Sequence, residues 1–135
     1  MQTSKVVYQG NLRTIATHIR SGSHFITDAP VDNKGKGEAF SPTDLTATSL
    51  AACIITTMAI GAEGRDIVIE KAEADILKIM EANPRRIGEI QVAIRLTIVP
   101  DNDKNRELLE DIGIHCPVAR SLHPNLKQTV TFNYI

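Results

Sequence analysis

The stretch FSPTDLTATSLAACIITTM, residues 40–58, decides how the chain is read. It opens with the signals of a helix start. Ser41 can cap, Pro42 suits a first helical position where no backbone N–H is needed, and Asp44 follows three residues after the cap. The spacing predicts a helix from there to about Ala62, ending near Gly64. Its middle, ATSLAAC, consists of small residues that let another backbone approach closely, so this helix is expected at the centre of the fold. It also carries Cys53, one of only two cysteines in the chain.

Working outward, the N-terminal side reads as strands. Lys5–Gln9 is short and β-branched, and Arg13–Arg20 alternates, with Ile15, Thr17 and Ile19 on one face. Ser21–Ser23 makes a turn around Gly22. The segment HFITDAP, residues 24–30, is a third strand stopped by Pro30, and the loop that follows takes flexible backbone from Gly35 and Gly37. On the C-terminal side, IVIEKAEADILKIM (67–80) and IGEIQVAIRLTIV (87–99) form an expected hairpin turning at Asn83–Pro84. The second of these is the clearest strand, with Ile90, Val92, Ile94, Leu96 and Ile98 on one face. A helix capped near Asp101 or Asn102 carries Leu108, Leu109 and Ile112 and is expected to end at Gly113. A short helix begins at Cys116–Pro117, and TVTFNYI closes the chain as a strand. The order βββ-α-ββ-αα-β predicts an α+β fold with antiparallel sheet, in a single domain spanning residues 1–135.

The second cysteine sits in HCPVARSLHPN, residues 115–125, directly before a proline. That setting makes Cys116 a helix N-cap, where unpaired N–H groups and the helix dipole favour an anion. A thiol there is expected to titrate below the free value, with Arg120 one turn on adding positive potential. Cys53 is the opposite case. It lies mid-helix among small apolar neighbours and shares a face with Thr46, Ser49, Leu50 and Thr57, so burial alone should raise its pKa. Any activation must come from a charge supplied by another segment. The bland reading, that both are simply buried cysteines, is common for this residue type. A zinc site on His115, Cys116 and His123 lacks the usual ligand spacing.

Composition narrows the function classes. Fifteen Lys and Arg against sixteen Asp and Glu, with no Trp, argue against a nucleic-acid partner. The segment MQTSKVVYQG has no apolar signal core, and no run is expected to reach the length of a membrane span. A cytoplasmic location follows as the expectation, one in which two thiols are more readily redox groups than a lasting disulfide.

Taken together, SPTDLTATSLAAC and HCPVARSL resemble the two cysteine segments of the OsmC/Ohr superfamily, the osmotically inducible and organic hydroperoxide resistance proteins. The N-terminal GNLRTIATHIRSG and the glycine-bearing loop fit the same pattern. The resemblance implies an antiparallel sheet wrapped around two central helices and an intertwined homodimer. It also implies a thiol peroxidase without cofactor or metal that reduces organic hydroperoxides. Cys53 would attack the peroxide and Cys116 would resolve the resulting sulfenic acid into a Cys53–Cys116 disulfide, which a dithiol, lipoyl-type in relatives, would reduce. Arg13 best matches the arginine that holds the attacking sulfur as thiolate, with Arg20 as the second candidate. The chain departs from the pattern at Thr43, where the better-characterised branches carry the glutamate that orients this arginine. Asp44 is adjacent, but one helical residue is about 100° of rotation. The alternative within the same superfamily is a non-catalytic redox-sensing or binding protein.

Overall fold

Three N-terminal strands form the first sheet of the computed structural model, which describes residues 1–135. They are β1 (Ser4–Gly10), β2 (Arg13–His18) and β3 (His24–Asp28), paired antiparallel in the order β1-β2-β3. β2 is shorter than the alternation suggests. The chain turns after His18, whose N–H donates to the Ser23 carbonyl at 2.7 Å, and Gly22 supplies the left-handed backbone at φ 76°. The pairing that results sets Arg13 opposite Asp28 and Ile15 opposite Ile26. After β3 the chain loops back, so that the Asp28 N–H donates to the Phe40 carbonyl at 3.0 Å. Gly35 makes this loop possible through contact rather than flexibility, because a Cβ there would lie 1.7 Å from the Ala29 carbonyl oxygen.

Residues Met1–Thr46 and Ala47–Ile135 are two compact units, the boundary falling inside the long helix α1 (Pro42–Glu63). The start of α1 belongs to the first unit and follows the expected cap. The Asp44 N–H donates to Ser41 Oγ at 3.1 Å, and the Ser41 N–H donates back to the Asp44 carboxylate at 3.0 Å. By length and composition α1 is apolar enough to cross a membrane, against the expectation that no run reaches that length. The Thr, Ser and Ala between its larger apolar residues conceal it in the sequence.

In the second unit, β4 (Val68–Glu81) and β5 (Arg86–Val99) form the hairpin. The Glu, Lys and Ala of β4 would suit a helix, but pairing along the length of β5 outweighs that preference. Ile90, Val92, Ile94, Leu96 and Ile98 are all fully buried on one face of β5. Against them pack Ala47, Leu50, Ala51, Ile54, Met58 and Ala62, which recur at helical spacing on α1. β6 (Lys127–Tyr134) corrects the expectation of antiparallel sheet, because it pairs with β5 in parallel. The reason is the connection: two helices intervene, and such a crossover returns the chain running the same way. The first, α2 (Asp103–Ile114), is capped by Asn102, whose side chain accepts from the Asn105 N–H at 2.9 Å. Gly113 does not end it. It is buried in the last turn, where a Cβ would meet Met58 Cγ at 2.8 Å, so the missing side chain serves close helix packing. The second, α3 (Pro117–Ser121), begins at Cys116 as expected.

Candidate active site

The end of α2 and the start of α3 bring the second cysteine to the first. Cys53 is half-buried on α1, and Cys116 is fully buried among the core side chains. The two thiols interact, the Cys116 thiol lowering Cys53 and Cys53 raising Cys116. No sequence spacing reports this, since the residues lie 63 positions apart and meet only because α2 folds back along α1.

Their environments differ, and in the reverse sense from the sequence expectation. Burial pushes the Cys53 thiol up, but the Val118 backbone N–H, the Cys116 thiol and the Thr57 hydroxyl together bring it below the ordinary value. Thr57 Oγ1 lies 3.8 Å from Cys53 Sγ, one helical turn along the same face. Cys116 is raised, mainly by burial and also by the neighbouring Cys53. It does accept from the Ala119 N–H, at 3.5 Å, as an N-cap should. The Val118 N–H also acts on Cys116, yet these two N–H groups of a five-residue helix do not offset complete removal from water. The first turn of α3 thus also serves the other sulfur, because the Val118 N–H supports Cys53 as thiolate. Another segment does act on Cys53, but through a backbone N–H and not through the charge that was expected. Arg120 contributes differently from the expectation as well: its Nε donates to the His115 carbonyl at 2.8 Å. His115, Cys116 and His123 form no cluster that could hold a metal ion.

The remaining candidates lie in the first unit. Arg13, at the start of β2, is clamped by a carboxylate the sequence reading did not single out. Its Nε and Nη2 donate to the two oxygens of Asp28 at 2.7 and 2.9 Å, and Nη2 also donates to Glu38 Oε1 at 3.2 Å. Asp28 holds the guanidinium pKa above its usual value, and Arg13 in turn holds the Asp28 carboxyl below the usual carboxylate range. The signal for this pair lay in the register, since the turn at Gly22 pairs Thr17 with His24 and hence Arg13 with Asp28. An open cavity of about 360 Å³ borders Arg13, with Ile15 and Ile26 as apolar wall and Gln9, Asn11 and Lys36 as polar wall. Arg20 lies outside the strands, exposed in the turn after β2. Thr43 shares a hydrogen bond with Ser41, Oγ to Oγ1 3.2 Å, and Asp44 takes part in the helix cap.

A family model described as OsmC-like protein matches residues 35–131. No curated protein matches the chain. Among solved structures, the chain is 48% identical to a protein of Psychrobacter arcticus 273-4 described as an osmotic stress induced and detoxification response protein. That match has a TM-score of 0.92 and covers 98% of this chain and 96% of the other. An organic hydroperoxide resistance protein OsmC from Legionella pneumophila superposes with a TM-score of 0.74 at 19% identity, covering 98% of each chain. The organic hydroperoxide resistance protein OhrB of Bacillus subtilis does so with a TM-score of 0.64 at 17% identity, again over 98% of each. The last two share the α+β fold. The family match spans both cysteine segments, and with it the chain belongs to the OsmC-like protein family.

Proposed function

We propose that the protein reduces organic hydroperoxides, with Cys53 as the attacking thiol and Cys116 as the resolving one. The observation that carries this reading is the pairing of two free thiols with opposite shifts, Cys53 lowered and Cys116 raised. The Cys53 thiolate attacks the terminal oxygen of ROOH, the O–O bond breaks, and the alkoxide leaves and takes up a proton to become the alcohol. Cys53 is then a sulfenic acid. Cys116, deprotonated during this step, attacks the Cys53 sulfur, water leaves, and a disulfide forms. An external dithiol supplies the two electrons that restore both thiols. The asymmetry suits the cycle: a protonated Cys116 leaves the first attack to Cys53.

Two further parts come from the family and from exposure. Arg13 is the proposed partner of the Cys53 thiolate, an opposite charge that favours the ionised sulfur. The protein is proposed to act as a homodimer, because β1 leaves Val6, Val7 and Tyr8 43–65% exposed, more apolar surface than a short strand ordinarily gives to water.

The test is peroxide consumption with cumene hydroperoxide and a dithiol. Cys53→Ser should abolish turnover, and Cys116→Ser should permit one oxidation that leaves a trappable sulfenic acid on Cys53. Peptide mapping of the oxidised natural protein should find the Cys53–Cys116 link. One round of oxidation in Cys53→Ser but none in Cys116→Ser would reverse the roles. Slow disulfide formation without turnover would favour a redox-sensing protein.

A further inference from the structure

Threonine at position 43 leaves a physical question. An arginine that stabilises a thiolate must be held in place, because a charge on a mobile side chain spends little time at the required distance. Position 43 offers no carboxylate, and the Asp44 carboxylate accepts from the Ser41 N–H in the helix cap. The structure nevertheless holds Arg13 from a different direction. Asp28 is its direct cross-strand partner, 1% exposed, and both of its oxygens accept from the guanidinium. The carboxylate is itself fixed, since Asp28 Oδ2 accepts from the Glu38 N–H at 3.1 Å and the Asp28 N–H is bonded to the Phe40 carbonyl. Glu38 adds a second acceptor to Nη2. These bonds use Nε and Nη2 and not Nη1, so the clamp grips one edge of the planar fork and directs the other edge away from the carboxylates.

We propose that Asp28, with Glu38 beside it, is the positioning carboxylate for Arg13 in this protein. It replaces, from the end of β3 and the following loop, the support that position 43 cannot supply. The proposal rests on the reading of Arg13 as partner of the Cys53 thiolate. It explains how the chain can carry Thr43 without losing a fixed arginine. Asp28 is the principal clamp, being buried and bidentate, while Glu38 is 63% exposed with one contact and is secondary.

Two measurements on the full-length protein test this: the stopped-flow rate of Cys53 oxidation by cumene hydroperoxide, and the pH midpoint of Cys53 alkylation by iodoacetamide, both in a Cys116→Ser background. Asp28→Asn should slow oxidation about tenfold or more and move the alkylation midpoint upward. Glu38→Gln should slow it about twofold, and Thr43→Glu should change it little, because the arginine is already held. In an Arg13→Ala background, Asp28→Asn should have no further effect on either readout, since it acts through the arginine. A merely structural role for Asp28 would leave the alkylation midpoint unmoved. If Arg13→Ala alters both readouts while Asp28→Asn and Glu38→Gln alter neither, the proposal is overturned and the reading of Arg13 stands. If Arg13→Ala alters neither, both fall. Circular dichroism monitors folding. Should Asp28→Asn fail to fold, Glu38→Gln decides, and an unchanged rate and midpoint there overturn the proposal.

Discussion

The two units of the chain bury different kinds of side chain. Every buried apolar residue lies in Ala47–Ile135, where α1 covers one face of β5. The buried polar residues, Thr27, Asp28 and Ser41, all lie in Met1–Thr46. In the second unit, removal of apolar surface from water is the stabilising term, roughly 25 cal/mol per Å². In the first, the buried groups gain little from burial as such and are tolerated because each is hydrogen-bonded. Thr27 pairs with Thr14, Asp28 with Arg13, and Ser41 with Thr43 and Asp44. Hydrophobic packing sets a position only as closely as neighbouring side chains allow, whereas a bidentate ion pair sets a direction. The two thiols sit in the first kind of environment and the proposed thiolate partner in the second.

The contrast breaks most visibly under truncation. Ile94→Ala, at the centre of the apolar face of β5 and 1% exposed, should cost about 2–5 kcal/mol in urea unfolding. Val6→Ala on β1 is the counterpart. A side chain that stays in solvent would give a change within about 0.5 kcal/mol. If a second copy covers β1 as proposed, the cost should rise above about 1 kcal/mol and grow with protein concentration. Sedimentation of both proteins would show whether the dimer weakens with it. A change independent of concentration would count against the dimer.

A smaller effect sharpens how the second unit positions its thiols. Gly113→Ala would place a Cβ 2.8 Å from Met58 Cγ and 3.0 Å from Ile54 Cγ2, forcing α2 outward or Met58 into another rotamer. Overpacking of this kind costs about 1–3 kcal/mol. Because Cys116 follows three residues later, disulfide formation after peroxide treatment should slow even in the fraction that remains folded. Unfolding curves together with the rate of thiol loss check both parts. Normal thiol loss in a destabilised protein would mean that α3 is held independently of α2.

The smallest effect concerns acid. Arg13 holds the folded Asp28 pKa below its unfolded value, near 3.9 for a free aspartate. In the interval between the two, the unfolded chain binds the extra proton, so this pair contributes stability that is complete above about pH 4 and is lost as pH falls through the folded pKa. Urea midpoints measured between pH 6 and the onset of acid unfolding should therefore fall less steeply in Asp28→Asn than in the natural protein. Parallel curves would mean that the pair is equally ionised in the unfolded chain. The same series on Ile94→Ala should keep the natural slope, since no ionisable group is lost.

Much of the architecture was legible in order along the chain. The cap at Ser41–Asp44, the alternation of Ile90 to Ile98 and the Cys116–Pro117 start of α3 each depend on residues within a few positions of one another. Local steric and hydrogen-bonding rules act over that range. Two features of the site were not legible for the opposite reason. A cysteine's pKa depends on its distance from water and on which N–H groups reach it. Burial of Cys116 and the aim of the Val118 N–H at Cys53 are products of α2 and α3 folding against α1. Local position suggested the opposite order. The Arg13–Asp28 pair is an intermediate case, present in the sequence only once the register of the β2–β3 hairpin is counted, since the two residues lie on different strands. The direction of β6 likewise came from the crossover, not from its own residues. The amino-acid order by itself determined the elements, the family resemblance and the identity of the two thiols, because those rest on neighbours in the chain. The tertiary structure alone decided which sulfur is the more acidic and which carboxylate holds the arginine, because electrostatics and solvation depend on neighbours in space.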